Sequence, residues 1–398
     1  MSQILASTGR VSGWWPLRFD KLGVIIAGLV LVGTLALPFV IARPNRIVPG
    51  APLSIGAALP LLEAVLVYGL VAGAGLVALL RSANAWRLGS SALALAGLCV
   101  MLGVAAAHLT PAGNSVARMA PGAGFWLLVF AFALVLADAL IRLRLAPVWR
   151  IAVLVLALAA FGLLLGTGGW ANLSILKEYG NRSAAFWREA QVHVGLAFGS
   201  LAVAVAVGVP LGIVCYRRER LRPAVLNLLN IVQTLPSIAL FGLLIAPLAW
   251  VAANVPGASA IGIAGIGAAP ALLALFGYAL LPIVANTVIG LVGVSAAVKD
   301  AARGMGMTDR QVLAFAELPL AFPVILTGIR IVLVQNIGLA TVAALIGGGG
   351  FGVFVFQGIG QAAMDLVLLG AVPTVALAFA SAVVLDALVE MARGTERR

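Results

Sequence analysis

Charged residues are scarce in this chain. Only 10% of its 398 residues are Asp, Glu, Lys or Arg, whereas 63% are apolar. A soluble globular protein carries about 25% charged residues. The composition therefore excludes a soluble globular protein and predicts a chain that lies in a membrane.

Lysine and histidine are nearly absent as well. The three lysines are Lys21, Lys177 and Lys299, and none follows a glycine, which excludes a Gly-x-x-x-x-Gly-Lys phosphate loop. Neither a His-Glu-x-x-His nor a Gly-x-Ser-x-Gly motif occurs. Neither His108 nor His193 has neighbours in the sequence that would complete a metal site with it, and we expect both side chains to be solvated. The sequence therefore predicts no enzymatic activity, no metal, no cofactor and no ATP hydrolysis on this chain.

Long apolar runs make up most of the chain. A membrane-spanning helix needs about 20 predominantly apolar residues. Runs of this kind predict an all-α polytopic membrane protein with about ten transmembrane helices. The predicted spans cover residues 22–42, 57–80, 88–108, 124–145, 150–168, 192–215, 224–250, 264–293, 320–346 and 362–390.

Basic residues predict the orientation of these spans. The net charge of +12 could indicate a nucleic-acid partner. The basic residues are instead spread over the loops between the spans, so we expect no nucleic acid. With the amino terminus inside, most basic residues fall in cytoplasmic segments, as the positive-inside rule requires. Those left outside are Arg43, Arg46, Arg118, Lys177, Arg182 and Arg188. Both chain ends are therefore predicted to be cytoplasmic.

A polar segment at 295–319 separates two of the apolar runs. Two short helices are predicted there, meeting at Gly306, because glycine permits a sharp turn at a helix end. Thr308 can cap the second helix, with Gln311 three residues on as its capping-box partner. Part of the second helix is apolar beside charged residues, which favours the docking of a soluble partner on this loop.

The spacing within the loop resembles the coupling loop of ABC-importer permeases. The family pattern is Glu-Ala-Ala, three residues, Gly, nine residues, an apolar residue, any residue, and Leu-Pro. In this chain Asp300 replaces the Glu and Ala316 takes the apolar place. The resemblance implies that a separate ATPase subunit docks here, through Asp300, Ala301, Ala302, Gly306, Thr308, Leu318 and Pro319.

Further stretches extend the resemblance to the permeases of osmoprotectant importers, the glycine betaine, carnitine and choline group. These stretches are 208–213, 233–237, 278–283 and 344–352. In the first half, 42–46, 124–126 and 176–182 resemble the long permeases of the YehY type, which carry extra amino-terminal spans. The resemblance implies three regions: a five-span extension at 1–170, a periplasmic connector at 171–191, and a type I ABC-importer permease domain at 192–392.

Polar residues and a proline inside the seventh span indicate a translocation path. Thr234, Pro236 and Ser237 lie within it. Proline kinks a helix, and Ser or Thr hydroxyls can satisfy the backbone groups that the kink frees. Broken helices of this kind commonly line a path through the membrane. A packing kink that faces another helix is the alternative.

Two further pairs of residues are assigned to the same path. Gly349 and Gly350 belong to a glycine run that permits close backbone approach or a re-entrant turn, with a flexible outer loop as the alternative. Gln335 and Asn336 lie within the ninth span, where polar groups are costly and usually functional.

Charged residues within the spans need partners or access to the interface. Asp138 and Arg142 are four residues apart on a predicted helix and are expected to pair. Arg330 lies close enough to the inner interface for its guanidinium to snorkel. Glu63, Asp365 and Asp386 have no partner that the sequence can assign.

The resemblance implies the permease subunit of a binding-protein-dependent ABC importer, which takes up glycine betaine or a related quaternary ammonium osmolyte. Its implied partners are an ABC ATPase subunit, a periplasmic solute-binding protein, the bilayer of the bacterial inner membrane, and a second permease copy or a paralogue. The runner-up is a ten-span secondary transporter with two inverted five-span halves, which has no need of a docking loop. The solute, the make-up of the permease dimer and the role of the five extra spans stay open.

Overall fold

The computed structural model describes residues 19–45, 48–80, 82–111, 113–114 and 116–394. Arg46, placed outside by the charge distribution, and both chain ends, placed inside by it, lie outside the described residues.

Helices account for most of the described chain, with three short strands near its beginning. The helices are α1 (Lys21–Leu31), α2 (Ile55–Ala58), α3 (Leu61–Leu79), α4 (Asn84–Leu109), α5 (Ala123–Leu143), α6 (Pro147–Gly166), α7 (Ser174–Arg217), α8 (Arg222–Thr234), α9 (Ser237–Asn254), α10 (Ala268–Val292), α11 (Ala296–Gly304), α12 (Asp309–Gln311), α13 (Leu318–Val342), α14 (Gly352–Gly360) and α15 (Met364–Ala392). The strands are β1 (Val40–Arg43), β2 (Ala51–Leu53) and β3 (Arg118–Pro121). π-helical turns cover Val32–Ala36 and Val312–Glu317, and 3-10 turns cover Ser259–Ile261 and Ala343–Ile346.

Nine helical segments of the described chain are long and apolar enough to cross a membrane. This confirms an all-α polytopic membrane protein, and the count is one fewer than the predicted ten. The first predicted span, 22–42, is a shorter helical segment, Lys21–Ala36. The helix stops there because Leu37 precedes Pro38 and takes an extended conformation (φ −113°, ψ 147°), after which the chain enters β1.

The seventh predicted span, 224–250, is two helices, α8 and α9, and only α9 has the length and apolarity of a span. The break lies at Leu235 and Pro236, with ψ values of 136° at both residues. The residue before a proline disfavours the helical region, and proline itself has no N–H to continue the ladder. A single span through this stretch was therefore a wrong interpretation.

The described helices belong to two compact units. Unit 1 comprises Met1–Leu145 and Leu164–Leu173, and unit 2 comprises Ala146–Leu163 and Ser174–Arg398. Most of α6 thus lies in unit 2, whereas the sequence placed it with the extension at 1–170. Most of the segment 171–191, predicted as a connector, forms the first part of α7.

In unit 1, α1, α3, α4 and α5 pack with a small sheet that sequence analysis did not anticipate. Its strand order is β2-β1-β3, with both pairs antiparallel. Val40 of β1 pairs with Leu53 of β2 on one side and with Pro121 of β3 on the other. Strand β2 leads into α2 and β3 leads into α5, and the sheet contacts α4 and α5 through β1.

A buried arginine organises the other charged groups of unit 1. Arg87, with 1% of its surface exposed, donates to Asp20 at 2.6 Å, and its second Nη atom lies 3.3 Å from Asp138. Arg142 donates to Asp138 at 2.9 Å, which confirms the predicted pair. Burial raises the pKa of Asp20, but hydrogen bonds from Arg87 and from the Leu22 N–H outweigh it and hold the pKa below its usual value. Because Arg87 has two carboxylate neighbours, loss of either one leaves the other to compensate part of its buried charge.

The core of unit 2 is formed by α7, α10 and α13. Close approach between α7 and α10 depends on glycine: a Cβ at Gly208 would lie 2.8 Å from Ile283, and one at Gly212 would lie 2.6 Å from Thr287. Small residues of this kind let membrane helices pack with their backbones close together. Around them, buried apolar residues of the three helices form one cluster, which includes Ala204 and Ile337.

Several charged groups on the spans of unit 2 are paired, whereas Oδ1 of the buried Asp365 has no hydrogen-bond partner among the described residues. Arg330 of α13 donates to Asp386 of α15 at 2.5 Å, so this aspartate has the partner that the sequence could not assign. Arg150 of α6 donates to Asp386 at 3.1 Å and lies 2.9 Å from Glu390. These contacts tie α6 to α15 within unit 2. The Arg330 guanidinium was expected to extend to the inner membrane interface, and it instead pairs with the Asp386 carboxylate.

Candidate functional site

The polar segment 295–319, called the coupling loop from here on after the loop that it resembles, folds into two helices as predicted. The first, α11, ends in a turn at Gly306, whose φ of +85° is the left-handed region that favours glycine. The N–H of Gly306 donates to the Arg303 carbonyl at 2.9 Å, and the N–H of Met307 donates to the Ala302 carbonyl at 3.2 Å. These bonds close the end of α11 and reverse the chain.

The second helix begins with the predicted capping box. The Thr308 N–H donates to Gln311 Oε1 at 2.8 Å, and the Thr308 side chain interacts with the backbone at Gln311. After α12 the chain continues as the π-helical turn Val312–Glu317 and passes without a break into α13. The capping prediction is confirmed because both groups are local in sequence.

Three large apolar side chains of the coupling loop are exposed, and Val298 is the least exposed of them at 37%. Met305 has 73% of its surface exposed and Phe315 has 71%, whereas Ala302 and Val312 are buried. One face of the loop therefore packs on the protein while another presents apolar side chains outward. Among the predicted contact residues, the structure exposes Asp300, Ala301, Gly306, Thr308 and Pro319, half-buries Leu318 and buries Ala302.

Leu318 and Pro319 also line an apolar groove beneath the loop. The groove has a volume of about 550 Å³ and is closed on its other side by α7, at Val205, Val209 and Pro210. All of its lining side chains are apolar, so it offers no hydrogen bonds to a polar solute. Leu318 also packs against the buried Leu291 and Ala321, whereas Pro319 is exposed.

The helix break at Leu235 brings two of the resembling stretches together. Gln233 Nε2 donates to the Tyr278 carbonyl at 2.7 Å, and the Tyr278 hydroxyl donates to the Leu235 carbonyl at 2.6 Å. The Thr234 hydroxyl donates to the Ile231 carbonyl at 2.7 Å, as expected of a hydroxyl at a helix break. The break is thus held in place by α10.

The residues assigned to the path lie in different surroundings. Thr234 and Pro236 are exposed and Ser237 is half-buried. Gln335 is half-buried, whereas Asn336 is completely buried and donates to Ser200 of α7 at 2.8 Å. No hydrogen bond among the described residues joins these two groups.

The glycine run 347–350 is anchored by two side chains of α7. Glu189 Oε2 accepts from the Gly350 N–H at 2.8 Å, and His193 Nδ1 accepts from the Phe351 N–H at 3.4 Å. Gly349 and Gly350 have φ values of +76° and +83°. His193 has 0% of its surface exposed, so the expectation of a solvated histidine was wrong.

Sequence reasoning missed Glu189 and His193 as structural partners of the glycine run. A signal was present, because two polar residues four positions apart at the start of an apolar run share one helix face. Across the described residues, no group of three His, Cys, Asp or Glu side chains could hold a metal ion.

Comparison with known protein families finds two matches that follow one another along the chain. Residues 20–176 match "ABC transporter permease YehY, N-terminal domain". Residues 208–393 match "Binding-protein-dependent transport system inner membrane component".

Curated relatives match about half of this chain and most of their own length. The choline transport system permease protein OpuBB of Bacillus subtilis is 37% identical over 186 residues, which are 47% of this chain and 78% of that protein. The osmoprotectant import permease protein OsmW of Salmonella typhimurium is 41% identical over 179 residues, which are 45% and 78% of the two chains. The carnitine transport permease protein OpuCB of Listeria monocytogenes is 38% identical over 186 residues, 47% and 78% of the two chains.

Among solved structures, a chain of the inward-facing MetNI methionine ABC transporter aligns over 53% of this chain and 97% of its own length. Its sequence identity is 21% and its TM-score is 0.44.

Proposed function

Because this chain belongs to the family of binding-protein-dependent inner-membrane transport permeases, we propose that it imports glycine betaine or a related quaternary ammonium osmolyte, with ATP hydrolysed on a separate subunit. As a member of that family it is a multi-pass transport permease and not an enzyme. The choice of solute class is supported by relatives whose names specify choline, carnitine and osmoprotectant transport.

The observation that carries the proposal is the shape of the coupling loop. It carries two helices joined at Gly306, and its two most exposed large apolar side chains, Met305 and Phe315, lie on a surface that also exposes charged residues. Exposed apolar side chains rimmed by polar ones mark protein interaction sites. An ATPase subunit with a groove for these helices would bury both side chains on docking. Such docking requires the coupling loop to be cytoplasmic, which the positive-inside distribution supports.

The path for the solute is assigned to the helix break and its neighbours. Thr234 and Pro236 are exposed at an interruption in helix geometry, where backbone carbonyls can face a water-filled cavity. Gln335 is half-buried on α13. Asn336, Gly349 and Gly350 join the path by supporting its walls, since α7 holds Asn336 through Ser200 and Gly350 through Glu189, and Gly349 precedes Gly350 in the glycine run.

The remaining partners follow from the family. A solute-binding protein would deliver the osmolyte at the outer face, and aromatic cages suited to quaternary ammonium groups would lie in that protein. A second permease, either another copy of this chain or a paralogue, would complete the path. Unit 1 is assigned to stability, oligomer contacts or regulation, and the permease domain to 192–392.

Reconstitution tests the proposal. The complex that co-purifies with this chain from its native membrane is placed in proteoliposomes with the co-purifying binding protein, and uptake of radiolabelled glycine betaine, choline and carnitine is measured with and without ATP. We expect uptake of at least one of the three that requires ATP and is abolished when the ATPase subunit is omitted. Uptake driven by an ion gradient without the ATPase would instead establish a secondary transporter.

A further inference from the structure

A buried carboxylate lies where the coupling loop joins the membrane helices. Glu317, the last residue of the π-helical turn, has 1% of its surface exposed. A buried charge is costly unless it is paired and hydrogen-bonded. Because it is inaccessible, Glu317 cannot contact a docked partner, and its role concerns the interior of the protein.

The partners of Glu317 come from two other elements of unit 2. The Tyr216 hydroxyl, near the end of α7, donates to Glu317 Oε1 at 2.9 Å, and Lys299 Nζ of α11 donates to the same hydroxyl at 2.9 Å. Arg217 lies 3.6 Å from Glu317 Oε2 and donates to the Asp309 carbonyl at 3.0 Å. Lys299 Nζ is 3.9 Å from Glu317 Oε1 and 5.3 Å from the centre of the Tyr216 ring. We call Tyr216, Arg217, Lys299 and Glu317 the anchor cluster.

The anchor cluster connects both helices of the coupling loop to the same end of α7. Lys299 belongs to α11, Asp309 begins α12, and Glu317 ends the turn before α13. π-helical turns are rare and occur frequently at functional sites. Hydrogen bonds through the Tyr216 hydroxyl thus join α11 and the turn before α13 to the end of α7.

The amino-terminal half of α7 binds the chain at the glycine run. Glu189 and His193 bind the backbone of Gly350 and Phe351, and helical geometry separates Glu189 from Arg217 by roughly 40 Å. The one non-helical residue within α7, Arg182, precedes this stretch. Pro210 lies within this stretch and removes one backbone hydrogen bond of the helix, but every residue from Glu189 to Arg217 keeps helical geometry. A displacement at the anchor cluster can therefore reach the glycine run along α7.

We propose that the anchor cluster transmits movement of the coupling loop to α7, so that Tyr216, Lys299 and Glu317 are positioning residues for the coupling of ATP hydrolysis to transport. The inference rests on the proposed docking of the ATPase on the loop. The three positioning residues are not part of the docking surface, because Glu317 is buried and Tyr216 and Lys299 are partly buried; Arg217, the fourth member of the cluster, is exposed. Loss of the contacts of the three positioning residues should therefore separate hydrolysis from transport while the ATPase stays bound.

Two substitutions test this in the complete complex. Tyr216→Phe removes the hydroxyl between Lys299 and Glu317 and keeps the ring, and Glu317→Gln keeps the side-chain shape and removes the charge. Tyr68→Phe, in α3 of unit 1, removes the same atom elsewhere and is the matched control. The measurements are ATPase retained on purification, ATP hydrolysis, and uptake of radiolabelled glycine betaine and choline in proteoliposomes.

We expect both anchor variants to retain the ATPase and to hydrolyse ATP, while solute taken up per ATP falls about tenfold, the equivalent of one charge-assisted hydrogen bond. Tyr68→Phe should leave that ratio unchanged. An unchanged ratio in folded Tyr216→Phe overturns the inference alone. The inference is also overturned if hydrolysis and uptake fall in parallel, or if both variants fail to fold. Either result would mean that the anchor cluster has a purely structural role. A wild-type complex without an ATPase overturns this inference and the proposed function together.

Discussion

The carboxylate of Glu189 accepts a hydrogen bond from the backbone N–H of Gly350 at 2.8 Å, across 161 residues of sequence. Gly350 has a φ of +83°, and a Cβ there would lie 3.1 Å from His193 Nδ1. The glycine run therefore has the close backbone approach that its composition allowed. A freely flexible outer loop is not compatible with this geometry, because two side chains of one helix bind consecutive backbone N–H groups.

Removal of that acceptor should destabilise the protein. In Glu189→Ala, the buried N–H of Gly350 loses its partner, and the free energy of unfolding should fall by about 1–3 kcal/mol. Thermal unfolding in detergent measures the change. Gln191→Ala, at an exposed position of the same helix, should leave the unfolding temperature unaltered. Equal behaviour of the two variants would contradict a stabilising role for Glu189.

A charged residue at Gly306 should uncouple the protein. Gly306→Asp forces a side chain into the left-handed region, at a backbone cost of about 1–2 kcal/mol, and adds a negative charge at the turn of the docking surface. The variant should insert in the membrane but lose ATPase association and solute uptake, both measured on the same preparation. Normal uptake would refute a coupling role for this turn.

An alanine pair isolates the backbone effect at that turn. A Cβ has free space at both Gly304 and Gly306, and only Gly306 has a positive φ. Gly306→Ala should therefore reduce uptake more than Gly304→Ala, since alanine at the end of α11 fits helical geometry.

Phe315 should contribute strongly to ATPase binding. Because 71% of its surface is exposed, Phe315→Ala removes little from the core and should leave thermal unfolding unchanged. The affinity for the ATPase subunit should fall by about 1–3 kcal/mol, as for an aromatic anchor in a partner groove. Phe130→Ala, which removes a ring exposed to 55% on α5, is the control and should bind normally. Binding of the Phe315 variant at wild-type affinity would exclude this surface as the docking site.

Single-cysteine labelling should place the coupling loop and the start of α7 on opposite sides of the membrane. Ser295 and Ser183 are both exposed, whereas Ser174 is buried and unsuitable for a reagent. In a background that lacks Cys99 and Cys215, an impermeant thiol reagent added outside should label Ser183→Cys and spare Ser295→Cys. Labelling of both cysteines from the same side would contradict the predicted topology, in which the amino terminus is cytoplasmic.

A core that begins at Ala146 should fold better than one that begins at Ser174. Both lack most of unit 1, but only the longer one keeps the ion pairs of Arg150 with Asp386 and Glu390. We expect the longer core to resist protease and to bind the ATPase. Its first residues are predicted to be cytoplasmic, so it needs no special start signal, whereas the shorter core needs one. If the longer core folds but does not bind the ATPase, unit 1 must take part in coupling to the ATPase.

Local sequence determined much of this protein. Apolar run length predicted eight of the nine spans with sufficient length and apolarity as single helices, since each helix satisfies its own backbone within the bilayer. The turn at Gly306 and the capping box at Thr308 and Gln311 follow from residues three or four positions apart. For the same reason the break at Pro236 could be located, although it was interpreted as a kink within one span.

Tertiary structure decided which of these elements act together. Glu317 meets Tyr216 across 101 residues, Gln233 meets Tyr278 across 45, and Arg150 meets Asp386 across 236. Such contacts depend on the rotation and packing of each helix against its neighbours, which periodicity cannot specify for spans that are apolar all round. His193 and Glu189 therefore acquired their partners, and α6 its place in unit 2, only when the chain was folded.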